Sequence, residues 1–227
     1  MKDRLEYYTH FMMSMIGGFF GGFAVLNFCN VFGNAQTVNM INIVTDIVVG
    51  NNLYSALLRI VGIVIYFSGF ALSVILSKHS RVNRKYLSLL FHLMAIILLA
   101  FMPKNLDNMI YILPLFFVMP FQWSVFSGAN GYNASTIFSS NNFRQFATSL
   151  TEYICTKDKK MLLKAKFYAK TLLSYYAGVF FSAIGTLIYG KESLFLLILP
   201  IMAVAMLIHK QEKSSWKIWF STTFYKK

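Results

Sequence analysis

The stretch LYSALLRIVGIVIYFSGFALSVIL, residues 53–76, decides the fold class, because its one charged residue, Arg59, stands in a run long enough to cross a bilayer. Five more apolar segments lie along the chain: Phe11–Phe32, Leu87–Met102, Met109–Gly128, Thr171–Tyr189 and Ser193–Ile208. In lipid, backbone polar groups must be satisfied within the protein, which leaves helices or closed barrels. Barrel strands alternate over about ten residues. These longer runs predict an all-α membrane protein of about six transmembrane helices.

The composition agrees with lipid as the main solvent. The chain has 227 residues, of which 57% are hydrophobic and 13% are charged. A soluble domain of this size cannot cover so much apolar surface with so few charges. The first segment is long for the apolar core of a signal peptide, and no small-x-small cleavage site follows it. We therefore expect a retained first span and one integral membrane domain over residues 1–227.

The positive charges predict the topology. If the segments alternate from a cytoplasmic N-terminus, all but three of the 21 lysines and arginines fall on the cytoplasmic side. The exceptions are Arg59, Lys104 and Lys191, and a carboxylate in the same region balances each. Because cytoplasmic loops carry excess Lys and Arg, we expect a cell-membrane protein with both termini in the cytoplasm. The net charge of +13 then suits anionic inner-leaflet lipid, so we expect no nucleic-acid partner.

Two polar stretches each follow a span and lead into a short amphipathic segment. A chain that restarts there as a half-helix exposes N–H groups at its new N-terminus, where the helix dipole favours an anion or a polar solute. The alternative is a membrane-surface turn whose polar side chains satisfy their own backbone. With a glutamine in the fourth span, the candidate solute-binding residues are Gln36, Thr37, Asn39, Gln122, Ser140 and Asn142.

Short sequence matches in the same order indicate an internal duplication. Thr37-Val38-Asn39 corresponds to Ser140-Asn141-Asn142, and Tyr66-Phe67-Ser68-Gly69 corresponds to Tyr175-Tyr176-Ala177-Gly178. With three spans in each unit, the second unit enters the membrane in the opposite orientation, as in many secondary transporters. We expect two inverted three-span repeats, each with an extra short half-helix, over about 11–103 and 109–208. A basic aromatic tail over 209–227 follows.

The glycine motif Gly17-Gly18-Phe19-Phe20-Gly21-Gly22, followed by Ala35-Gln36-Thr37-Val38-Asn39, resembles the first half of the YoaK-like bacterial membrane proteins, a family of unknown function. The second half is similar in its Gln122 and in Ser140-Asn141-Asn142. Val38 and Asn141 replace the Gly of the family's Thr-Gly-Asn pattern, and Gly21 replaces an Asp often found in the first span. The resemblance covers nearly the whole chain and implies a six-span layout, but no reaction.

Small residues at helical spacing predict close helix contacts. The predicted packing residues are Gly17, Gly18, Gly21, Gly22, Gly69 and Gly178. Their rows suit a contact between the two repeats or between the protomers of a homodimer. Asp46 and Arg59 both fall near the outer membrane region, where isolated charges are costly. We interpret them as a structural ion pair, with a coupling-ion role for Asp46 as the alternative.

These features favour a small transporter or permease for a polar or anionic solute. The alternative is a non-transport membrane protein, such as a lipid-interacting, scaffolding or sensory module. The sequence has no Gly-x-Ser-x-Gly, no HExxH and no P-loop, so we do not expect an enzyme. It also has no spacing typical of a metal or cofactor site, and we expect neither.

Overall fold

The computed structural model describes residues 2–28, 33–34, 36–103 and 105–224, with side chains described between residues 3 and 213. In this part of the chain the helices are α1 (Lys2–Asn27), α2 (Thr37–Val48), α3 (Leu53–His79), α4 (Arg84–Phe101), α5 (Asn108–Val125), α6 (Ser140–Thr156), α7 (Lys159–Tyr189) and α8 (Ile198–Phe224). A 3-10 helix (Gly190–Leu197) joins α7 to α8. The strands β1 (Gly128–Ala129) and β2 (Tyr132–Asn133) form a short antiparallel hairpin. The predicted all-α membrane fold is confirmed.

Five helical stretches among the described residues are long and apolar enough to cross a membrane: Asp3–Asn27, Leu53–His79, Arg84–Phe101, Asn108–Val125 and Lys159–Lys213. The last of them contains α7, the 3-10 helix and α8. Large apolar side chains are exposed along these helices; Leu187, for example, is 86% exposed. Exposed apolar surface of this extent suits contact with lipid tails, and the chain is a multi-pass membrane protein.

Side-chain contacts define the two ends of the helix bundle. At one end, Lys85 Nζ donates a hydrogen bond to Gln211 Oε1 (3.0 Å), and Lys85 lines a cavity together with Glu6. The starts of α1 and α4 and the far part of α8 therefore lie together. At the other end, Lys191 Nζ lies 4.0 Å from the centroid of the Tyr111 ring. The chain thus reverses direction between α7 and α8, at Gly190, which has a φ of +59°.

Helix α1 is the most buried of the apolar helices, and α7 is its principal neighbour. Glycines bring the two backbones together. A Cβ added at Gly18 would lie 1.9 Å from the carbonyl oxygen of Tyr175, and one added at Gly178 would lie 1.9 Å from that of Met15. A Cβ at Gly22 would come within 3.2 Å of α7. This small-residue contact lies within one chain, between its first and second halves.

Helices α3 and α5 form the second extensive contact. A Cβ added at Gly69 would lie 2.4 Å from the carbonyl oxygen of Phe117 and 2.8 Å from the ring of Pro120. Pro114 and Pro120 both lie inside α5. Proline removes a backbone donor and cannot sit in a water-exposed helix interior without cost, but packed neighbours within a membrane tolerate it. Further contacts join α8 to α1, α4 to α5, α2 to α3, and α6 to α7.

The tail predicted over 209–227 begins inside α8, which extends helically to Phe224. Its aromatic and basic side chains from Trp216 onward lie outside the described side chains, as do Cys29, Asn30 and Lys104.

Candidate functional site

Both polar stretches return the chain to the middle of the bundle. Asn34 is fully buried, and its Nδ2 donates to the carbonyl oxygen of Gly17 in α1 (2.9 Å) and to that of Ile137 (2.7 Å). Tyr66, near the midpoint of α3, donates its hydroxyl to the carbonyl oxygen of Asn34 (3.0 Å). The two loops therefore touch each other at the mid-height of α1 and α3.

The second loop is fixed against α1 by a glycine. A Cβ added at Gly17 would lie 2.0 Å from the carbonyl oxygen of Thr136, so only glycine lets this loop approach the helix backbone. The loop follows the β1–β2 hairpin. Asn130 Nδ2 in this hairpin donates to the carbonyl oxygen of Asp3 (3.1 Å), so the hairpin lies at the same bundle end as the start of α1. The second loop thus runs inward from the end that holds the start of α1, whereas Asn34 follows the opposite end of α1 in the chain.

Each loop continues as a short helix that begins near the centre. Helix α2 starts at Thr37 and runs toward the start of α3, whereas α6 starts at Ser140 and runs toward the start of α7. At both N-termini the capping residue, Gln36 or Ser139, makes no side-chain capping bond. The first N–H groups of a helix have no partner inside the helix, so both ends present free donors and the positive end of a helix dipole.

The two helix starts share a cavity of about 430 Å³. Its described polar lining residues are Gln36, Thr37, Ser139 and Ser140. Its aromatic lining residues are Tyr66, Trp123, Phe138 and Tyr175. None of the described lining residues carries a charge. Two helix dipoles of about half an elementary charge each therefore set the field in the cavity, and both favour a negative or electron-rich group.

Gln36, which lines the cavity, has an unpaired amide donor beside it. Its side-chain oxygen accepts a hydrogen bond from Asn39 Nδ2 (3.1 Å). Its buried Nε2 has no hydrogen-bond partner among the described residues. A buried amide donor left unpaired costs about 1–3 kcal/mol. This nitrogen has no accessible surface in the cavity, so a solute would reach it only if the Gln36 side chain turned.

Asn39 itself holds α2 to α3 and does not line the cavity. Its Oδ1 accepts from Arg59 Nη1 (3.1 Å), and Arg59 Nε donates to Asp46 Oδ2 (3.0 Å). The Asp46–Arg59 contact is the one ion pair found among the described side chains. The hydroxyl of Ser55, 2.7 Å from the same carboxylate oxygen, and the Arg59 guanidinium hold the pKa of Asp46 below its ordinary value. The geometry is that of a structural ion pair.

Asn142 closes the second loop on itself. Its side chain accepts from the N–H of Ser135 (3.1 Å) and donates to the carbonyl oxygen of the same residue (2.7 Å). Asn142 is buried, whereas its neighbour Ser140 is exposed in the cavity. Asn142 therefore has the geometry of a loop brace that satisfies backbone groups.

Gln122 joins four parts of the fold and lies outside the cavity. Its Nε2 donates to the carbonyl oxygen of Met13 and to the hydroxyl of Thr136, both at 3.0 Å. Its Oε1 lies 2.6 Å from His92 Nε2, and His92 Nδ1 lies 2.5 Å from the carbonyl oxygen of Ser88; a neutral imidazole donates to one of these two oxygens. All of these groups are buried. The cost of a glutamine in a span is offset by these bonds.

Of the six predicted solute-binding residues, the structure thus brings Gln36, Thr37 and Ser140 to one cavity. Tyr66 and Tyr175, which our site prediction missed, line it as well, each near the midpoint of its helix. Their signal was present, because they begin the second pair of matching stretches in the duplication. Within the described residues, no three His, Cys, Asp or Glu side chains come together in a group that could hold a metal ion.

Comparison with known proteins identifies a family but no activity. A family model described as a protein of unknown function, DUF1275, matches residues 9–208. The YoaK-like proteins are members of this family, so the resemblance inferred from the glycine and Thr-x-Asn motifs is confirmed. No curated protein and no solved structure matches the chain.

Proposed function

We propose a function from the site itself, because the chain belongs to the DUF1275 family and that family's description assigns no activity. The proposed function is that of a small transporter or permease that binds a polar or anionic solute between two half-helices. The observation that carries it is the shared cavity at the starts of α2 and α6. Discontinuous helices whose N-termini point at a solute near the bilayer midplane are a recurring feature of secondary transporters.

The pairing of helices supports an inverted repeat around this cavity. If α1–α4 are matched in order with α5–α8, the α1–α7 contact corresponds to the α5–α3 contact. The contacts of α8 with α1 and of α2 with α3 correspond in the same way to those of α4 with α5 and of α6 with α7. Gly178 and Gly69, which match in sequence, both lie against backbone carbonyl groups in these paired contacts.

The two bundle ends support a proposal of six spans with both chain ends on one side. Counting α7 and α8 separately gives six long helices that run between the two ends, because the chain reverses at Gly190. The start of α1 and residue 211 then lie at the same end. The basic loop between α3 and α4 and the start of α7 lie there too. The excess of Lys and Arg favours the cytoplasm for this end. On this reading, α2 and α6 are re-entrant and start near the membrane centre.

The test is a flux assay in proteoliposomes. Stopped-flow light scattering would follow volume changes driven by potassium salts of chloride, nitrate, formate and phosphate, and by glycerol and urea as neutral polar solutes. We expect at least one of these to move faster than in protein-free liposomes. Ser140→Trp, which fills the cavity, should abolish the increase. Val44→Trp should leave it intact, because Val44 lies on the exposed face of α2 and is 60% exposed.

Two results would contradict the transport proposal. One is a rate equal to that of protein-free liposomes for every solute. The other is an accelerated flux that Ser140→Trp leaves unchanged while the protein remains folded. Either result would favour a non-transport role for the membrane domain, in which the polar loops serve only to fold it.

A further inference from the structure

A second cavity lies at the bundle end that holds the start of α1. It has a volume of about 380 Å³ and lies between α1, α7 and the β1–β2 hairpin. It is therefore separated along the bundle from the half-helix cavity, which lies at the midpoints of α3 and α7. Nothing in the proposed transport role accounts for it.

Three cations line this cavity: Arg4 on α1, and Lys166 and Lys170, one turn apart on α7. All three are exposed. None has a described carboxylate within 4.0 Å, because the ion pair of Asp46 is the one found in the described part of the chain. Of the two acids in the first turns of α1, Asp3 neighbours Arg4 in sequence but does not line this cavity, and Glu6 lines other cavities. The lining of the cavity therefore contains three cations and no carboxylate.

Aromatic rings form the floor of the cavity. Phe167 is 3% exposed, and its ring lies 5.0 Å from Tyr132, 5.6 Å from Tyr7 and 5.9 Å from Phe11, measured between centroids. Aromatic rings clustered in this way make a rigid apolar surface. The cavity thus combines a cluster of cations with a fixed apolar wall.

The rim adds exposed apolar side chains. Tyr8 and Leu163, both lining residues, are 57% and 60% exposed. Tyrosine at a span end is typical of the membrane–water interface, where one end of the side chain is apolar and the other is hydrated. A ligand that carries both a phosphate and acyl chains would contact all three parts of the site.

We propose that this cavity binds the phosphate-bearing headgroup of an anionic phospholipid, whose acyl chains leave past Tyr8 and Leu163. A soluble phosphate ester offers the same headgroup chemistry without the chains. The apolar rim favours the lipid, because a small hydrophilic ester would leave that rim uncovered.

The test uses the full chain in a neutral detergent, where no membrane surface potential contributes. Native mass spectrometry would measure retention of phosphatidylglycerol against phosphatidylcholine of the same acyl chains. The double variant Lys166→Gln, Lys170→Gln removes two cavity cations. The matched control Lys159→Gln, Lys160→Gln removes two exposed charges from the same helix outside the cavity.

We expect one phosphatidylglycerol retained in preference to phosphatidylcholine. The cavity variant should weaken this retention by about fivefold for each cation removed, the effect typical of one lysine beside an anionic lipid surface. The control should change it by less than about twofold. Arg4→Gln should weaken retention as well. Because it is a single change on another helix, it tests the site even if the double variant on α7 folds poorly.

Equal losses in the two double variants would overturn the proposal, because they would indicate diffuse attraction to a basic surface. Equal retention of the two lipids would overturn it as well. Displacement of the lipid by an equimolar amount of glycerol 3-phosphate would contradict the lipid assignment and indicate a soluble phosphate ester as the ligand.

Discussion

Gly178→Ala is the sharpest test of the contact between α1 and α7. The new Cβ would lie 1.9 Å from the carbonyl oxygen of Met15 and 2.8 Å from the backbone nitrogen of Phe19. Ordinary contact for a Cβ begins at 3.4 Å, so the two helices must separate by about 1.5 Å (3.4 − 1.9) at this point. Overpacking costs typically about 1–3 kcal/mol. Since both obstacles are backbone atoms, we expect a loss of about 3 kcal/mol or more in the free energy of unfolding.

The assay is denaturant unfolding in detergent, followed by circular dichroism. Gly50→Ala is the matched control, because its Cβ would meet nothing closer than 3.4 Å, and we expect a change within about 0.5 kcal/mol. Gly185→Ala should fall between them, since its nearest neighbour is a flexible Leu196 methyl at 3.0 Å. Equal stability of Gly178→Ala and Gly50→Ala would refute the close packing of α1 on α7.

Three further perturbations test the polar contacts. Gln122→Leu leaves buried groups on three elements unpaired and should lower the free energy of unfolding by about 1–3 kcal/mol in the same denaturant assay. Tyr66→Phe removes the hydroxyl bonded to the Asn34 carbonyl oxygen (3.0 Å) and should cost about 1 kcal/mol, also by denaturant titration. The pKa of Asp46 is lower in the folded state, so its contribution to stability is complete above the ordinary carboxyl pKa and is lost as pH falls through the lowered value. Thermal unfolding should therefore be insensitive to this group from pH 7 to 5 and should decline below about pH 4 in a manner that Asp46→Asn abolishes.

The long apolar runs predicted the helices well, because backbone groups in lipid must be hydrogen-bonded within the protein and few structures other than helices achieve this. Residues 53–76, for example, lie within α3. The junction between α7 and α8 was also predicted, because the sequence separates the apolar segments Thr171–Tyr189 and Ser193–Ile208, and α7 ends at Tyr189. The 3-10 helix between them was not predicted; it carries helical geometry onward from Gly190. Here the left-handed φ of a glycine, rather than a polar loop, marks the reversal.

The site was partly predictable. Half-helices with unpaired N–H groups were inferred after the two polar stretches, and the structure begins them at Thr37 and Ser140. The sequence could not show which polar residues line the cavity and which only bond to other parts of the protein. An asparagine such as Asn39 or Asn142 can do either. Their roles depend on partners distant in sequence or across a turn, such as Arg59 and Ser135.

The central claim is that the starts of α2 and α6 meet at one solute-accessible cavity. Its most direct test is cysteine labelling in liposomes, in a background with Cys29 and Cys155 replaced by serine. A charged, water-soluble thiosulfonate reagent modifies cysteines that contact water, because the thiolate is the reacting form. We predict that Ser140→Cys and Thr37→Cys are modified while Val44→Cys, on the exposed apolar face of α2, is not. Modification of Val44→Cys with protection of the other two would contradict the account.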